Sequence, residues 1–132
     1  MIVLDTHALI WWVNGDAELS PAARSSIEDT LAGGAPVLVS AISAWELATL
    51  VERGRIDLAM ALDEWLRAVE SIEGVVLAPI TAALAARSVN LPGEFHKDPA
   101  DRMIVALARE QNAPLITADP HIQRYPHVRW IW

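Results

Sequence analysis

The chain has 132 residues, 17 acidic side chains against 10 basic ones, a formal charge of −7 and no cysteine. That length predicts one domain over residues 1–132, and the missing thiols exclude disulfides and thiolate metal sites, which suits a reducing cytoplasm. The acidic balance argues against a passive nucleic-acid binder, since phosphate neutralisation needs basic side chains and Lys97 is the one lysine beside nine arginines.

The elements follow in chain order. Ile2-Val3-Leu4 is too short for a helix and reads as a buried strand, closed by Asp5. The acid so near the start and the lack of a basic n-region make a signal peptide unexpected. Thr6 to Val13 reads as a helix that stops at the turn Asn14-Gly15-Asp16. Ser20-Pro21 caps and starts a helix to about Leu31, before Gly33-Gly34. Val37 to Val39 is a second buried strand. The next helix is expected from about Ser43 to Arg53, with Gly54 as its stop. Ala61 to Ile72 is amphipathic, with Leu62, Trp65, Leu66 and Val69 on one face.

Val75 to Leu77 is the third strand. A helix over Thr81–Val89 ends at Leu91-Pro92-Gly93. Asp98-Pro99 opens a strong helix through Glu110, and Leu115-Ile116-Thr117 is the fourth strand. Asp119-Pro120 begins a short helical turn, and Val128 to Ile131 is the last strand. Strands alternating with helices predict a parallel sheet covered on both faces, an α/β/α sandwich. No run approaches the ~20 apolar residues of a membrane span. The 53% hydrophobic fraction with six tryptophans hints at an oligomer or partner surface.

Asp5 and Asp119 fall just past strand ends, the edge where parallel sheets bind ligands. Glu46 follows the second strand, and Asp98 and Asp101 share one side of a helix start. Carboxylates brought together repel unless a cation neutralises them, and oxygen-only ligands suit Mg²⁺ or Mn²⁺. Each acid also has a plainer reading. Asp5, Asp98 and Asp119 are good N-caps, and Ser43-x-x-Glu46 has the spacing of a capping box. Thr117 can orient an acid through its hydroxyl, and Arg102 can pair with an acid or meet a substrate phosphate. The four histidines, 7, 96, 121 and 127, show no metal-binding spacing, and His96 reads as a solvated loop residue.

Taken in order, Ile2 to Trp12, Ser40 to Leu47, His96-Lys97-Asp98-Pro99-Ala100-Asp101-Arg102 and Ile116-Thr117-Ala118-Asp119 resemble PIN-domain ribonucleases, and among them the VapC toxins of toxin–antitoxin pairs. The resemblance implies Mg²⁺ or Mn²⁺ held by Asp5, Glu46, Asp101 and Asp119, with Asp98 nearby and Thr6 and Thr117 supporting the acids. It also implies RNA hydrolysis, a homodimer and a cognate antitoxin. Two other classes remain open on the residues alone. A phosphatase could use Asp5 as nucleophile, but it would want an acid two residues on, where His7 stands. A non-catalytic module would use the acids as caps and an apolar surface for a partner.

Overall fold

The computed structural model describes residues 1–132. Five strands form one parallel sheet: β1 (Ile2–Leu4), β2 (Val37–Ser40), β3 (Val75–Ala78), β4 (Leu115–Ile116) and β5 (Trp130–Ile131). Their spatial order is β3-β2-β1-β4-β5. Between them run α1 (Thr6–Val13), α2 (Pro21–Ala32), α3 (Ala41–Glu52), α4 (Leu62–Ser71), α5 (Ala82–Val89), α6 (Pro99–Glu110) and α7 (Pro120–Gln123).

Alternation along the strands splits the core in two. Ile2, Leu4, Val37, Val39 and Ile116 face one way and pack with Leu9, Ile27, Leu47, Trp65 and Val69 from α1 to α4. Val3, Leu38 and Leu115 face the other way, against Leu84, Ile104, Leu107 and Ile122 from α5 to α7. Side chains of successive strand residues point to opposite faces, so a central strand with both faces covered must be apolar at every position. β1 is buried throughout. Each such side chain contributes roughly 1.5–3 kcal/mol of burial, which fixes the register of the strand that carries Asp5 at its end.

The handedness of parallel connections explains the layering. From β1 through β2 to β3 the chain advances in one direction across the sheet, and from β3 through β4 to β5 it advances in the other. Right-handed crossovers place connections of opposite direction on opposite faces. The chain therefore changes sense between β1 and β4, and a crevice opens there beyond the carboxyl ends of the strands.

Several boundaries differ from the sequence reading. α3 starts at Ala41, not Ser43, because Ser40, the last residue of β2, is already its N-cap and its hydroxyl accepts from the Ile42 N–H at 3.2 Å. Strand passes into helix with no loop, and the expected capping box at Ser43 and Glu46 does not form. Ser40→Ala should thus cost about 1 kcal/mol of stability in urea unfolding, the usual cost of a lost cap. The last strand is confined to Trp130–Ile131, and the fourth ends at Ile116. Gly74 enters β3 with φ +88°, a left-handed conformation that would strain any other residue, and a Cβ there would also push aside the Leu31 side chain. No helix is long and apolar enough to cross a membrane.

Candidate active site

The crevice between β1 and β4 is a cleft of about 430 Å³, lined by Asp5, Glu46, Asp98, Asp101 and Asp119 together with His7, Trp11, Ala118 and Pro120. The five acids singled out in the sequence, from four separate segments, thus share one cleft.

Capping and clustering turn out to be compatible. Asp5 Oδ1 accepts from the Thr6 N–H at 2.8 Å, Asp98 Oδ1 from the Asp101 N–H at 3.0 Å, and Asp119 Oδ1 from the His121 N–H at 2.8 Å. Each cap uses Oδ1. In Asp98 and Asp119 that leaves Oδ2 free of protein hydrogen bonds, while Asp5 Oδ2 accepts from the Thr117 hydroxyl at 2.7 Å. The caps fix the rotamers, and the helix starts aim the acids at one place.

Two threonines hold the rest. Thr117 Oγ1 also accepts from the Asp119 N–H at 3.0 Å, so one hydroxyl joins the acids after β1 and β4. Thr6 Oγ1 donates to Glu46 Oε1 at 2.5 Å and lies 2.8 Å from Ser43 Oγ. With the Thr6 proton spent on Glu46, the Ser43 hydroxyl must be the donor in that second contact. Ser43 and Glu46 sit three residues apart in α3, on one side of the helix, and both reach Thr6.

The charge balance of the cleft is unfavourable without a counterion. Burial pushes Asp5 and Glu46 above the usual carboxylate range, although Thr117 and Thr6 respectively pull against it. Asp101 rises to about 8, first by burial and then by repulsion from Asp5, Asp98, Asp119 and Glu46. The group keeps its proton in the folded state between about pH 4 and pH 8 and loses it in the unfolded state. Stability should therefore fall as pH rises through that window. In chelator we expect Tm to drop by roughly 5–10 °C between pH 5 and pH 8. A divalent cation added at pH 8 should reverse the drop. Differential scanning fluorimetry across pH checks both.

Two residues stand elsewhere than the sequence suggested. Arg102 neither pairs with an acid nor faces the cleft. Its guanidinium donates to the carbonyl oxygens of Ser88 (2.8 Å), Phe95 (3.0 Å), His96 (3.2 Å) and Val89 (3.1 Å). It straps the 88–96 stretch to α6, and so acts on the cleft only through the chain it holds. His96 is not a solvated loop residue. Its Nε2 is buried and stands 2.9 Å from Asp101 Oδ2. Its ring stacks on His121 at 4.7 Å with planes 3° apart. Only its place two residues before Asp98 hinted at this, because the contact depends on how Arg102 folds the loop back.

The donor set fits a divalent cation. Ligating atoms of His96, Asp101 and Asp119 lie within 4.8 Å of one another, and Asp5, Glu46 and Asp98 line the same cleft. Imidazole and carboxylate donors suit a hard or borderline ion, and no thiolate competes.

A parallel α/β/α sandwich with acids gathered at its switch point is the architecture of a nuclease-type PIN fold. The chain belongs to the PIN-domain family, whose model matches residues 2–128. It is similar to Ribonuclease VapC22 of Mycobacterium tuberculosis, with 41% identity over 130 residues, covering 97% of this chain and 94% of the relative. Among solved structures it is similar in fold to VapBC2 from Rickettsia felis bound to a promoter DNA fragment. That match has a TM-score of 0.71 and 18% identity, and covers 98% of this chain and 97% of the other. A toxin–antitoxin complex from Klebsiella pneumoniae matches with a TM-score of 0.67 and 22% identity, covering 97% and 95% of the two chains.

Proposed function

We propose that this protein is the endoribonuclease toxin of a toxin–antitoxin pair and that it hydrolyses RNA phosphodiesters with Mg²⁺ or Mn²⁺. The observation that carries the reading is the cleft in which five carboxylates converge, with Asp101 raised to about 8 by burial and its neighbours. Such a group is an unfavourable place for negative charge until a cation enters, and afterwards it is a strong site for one. The 41% identity to a ribonuclease over nearly the whole chain supports the activity.

A divalent cation held there would supply activation of a water for attack and would offset the charge of the phosphate. Asp5, Asp101 and Asp119 are the residues we assign to holding it, with Asp98 at the rim. Glu46 is placed by Thr6 and Ser43 either to complete the donor set or to take the proton of the attacking water. Thr6 and Thr117 keep the acids in position. His7, exposed on the cleft and tilted against Trp11 at 5.6 Å, offers an imidazole to hydrogen-bond a substrate.

An antitoxin partner is supported by the likeness in fold to the Klebsiella pneumoniae structure, a toxin–antitoxin complex by name, and to VapBC2 from Rickettsia felis. A homodimer is supported by a hollow in which Ala85, Val89, Phe95 and Met103 lie beside Lys97 and Arg102, with Val89 73% exposed. This work is done in the cytoplasm, where RNA and antitoxin meet.

The test is cleavage of a mixed single-stranded RNA pool by purified, antitoxin-free protein with Mg²⁺ or Mn²⁺. Cleavage should disappear in EDTA and in Asp5→Asn. Cleavage by a folded Asp5→Asn protein at the wild-type rate would overturn the site.

A further inference from the structure

We infer that His96 is a nitrogen ligand of the cation, so that the site is a mixed imidazole–carboxylate centre and not an all-oxygen one. The inference rests on the metal reading above and goes beyond it, since that reading needs only the acids.

The geometry starts from an orphaned atom. His96 Nε2 is buried, and among the polar side-chain atoms in that state it alone has no hydrogen-bond partner. It stands 2.9 Å from Asp101 Oδ2, yet the two make no hydrogen bond. A buried polar atom left unmade costs roughly 1–3 kcal/mol, so the arrangement calls for a partner. Two donors in neighbouring positions of a six-coordinate ion, each roughly 2.1 Å from it, stand about 3.0 Å apart. The 2.9 Å separation of Nε2 and Oδ2 is that spacing. Asp119 supplies the third atom, within 4.8 Å of the others. Opposite positions on such an ion are roughly 4.2 Å apart, and a small side-chain rotation closes the difference.

The ring is also held as a ligand is held. Phe95 meets it edge-on at 4.6 Å, and His121 stacks on its face at 4.7 Å. Arg102 takes the His96 carbonyl oxygen in its strap. A ligand whose orientation is fixed before the ion arrives loses little freedom on binding. His121, which touches Asp119 Oδ1 through Nδ1 at 3.3 Å, then braces the two ligands together. An imidazole nitrogen shifts preference from Mg²⁺, which favours oxygen and keeps its waters, toward Mn²⁺.

The experiment is pulsed EPR on the full-length protein, stripped of metal by chelation and loaded with less than one equivalent of Mn²⁺. Electron spin-echo modulation from a directly bound ¹⁴N is expected in the wild type and absent in His96→Gln. Mn²⁺ affinity in that variant should fall at least about tenfold, with Mg²⁺ affinity changing less. Circular dichroism of the stripped proteins confirms that the variant is folded. Mn²⁺ bound without nitrogen modulation, or modulation that survives His96→Gln, would overturn the inference and leave the carboxylate site standing. Failure of the folded wild type to bind Mn²⁺ at all would overturn both.

Discussion

Asp101→Asn should lower RNA cleavage by about 10³-fold or more and, in the same protein, raise Tm in chelator at pH 8. The two effects have one origin. Asp101 sits at the first turn of α6 with Asp5, Asp98, Asp119 and Glu46 around it, and its carboxyl is raised to about 8. A neutral amide removes the most crowded negative charge, so the stripped protein gains roughly 1–3 kcal/mol and 4–12 °C. The same change takes a charged oxygen out of the proposed cation site. Calorimetric titration with Mn²⁺ should show the loss directly, and the pH dependence of Tm in chelator should flatten. A residue that merely stabilised the fold would move activity and Tm in the same direction. Opposite movement is the signature of a site strained for function.

Arg102→Ala should be the most damaging single change outside the core, at about 2–4 kcal/mol in urea unfolding. The guanidinium satisfies four carbonyl oxygens, at Ser88, Val89, Phe95 and His96, and hydrogen bonds from a charged donor are worth more than neutral ones. Arg102→Lys should recover little of it, because an ammonium cannot match a planar fork spread over four acceptors. Cleavage should fall as well, since His96 lies on the strapped stretch and touches Asp101. The expected order is wild type, then Lys, then Ala, in both urea midpoint and cleavage rate. Equal stability of wild type and Arg102→Ala would mean that the strap holds nothing.

Much of this arrangement could be read before any coordinates. Short apolar runs closed by an acid place strands and cleft residues together, because a buried parallel strand has no room for a charge until it ends. Asp5 after Leu4 carries that logic in its simplest form. The Asp-Pro starts of α6 and α7 read correctly as caps, and the caps proved to be the means by which the acids are aimed. Along the sequence, cap and cluster are competing explanations of the same residues. They are reconciled by the two oxygens of a carboxylate, a division that spacing along a chain does not reveal.

What escaped the sequence depends on contacts between distant segments. The sequence places the start of α3 at Ser43 and the structure at Ala41, because a serine at a strand end and a serine three residues later offer the same cap, and only the sheet register decides between them. Ser43 then appears as a buried hydroxyl against Thr6, 37 residues away. Arg102 beside Asp101 invited an ionic reading, yet consecutive helix residues point about 100° apart. The acid turned to the cleft and the arginine to the loop behind it. His96 followed from that turn.

The bond from Thr117 to Asp5 joins residues 112 positions apart, and it has a consequence for the order in which the protein is made. β1 waits for β4 as its second neighbour, and the acid at its end has no Thr117 or Asp119 beside it until those residues have been made. A ribosome translating this message therefore exposes no assembled cleft while most of the chain has already emerged. The cleft is thus assembled in one late step, when segments more than a hundred residues apart have met.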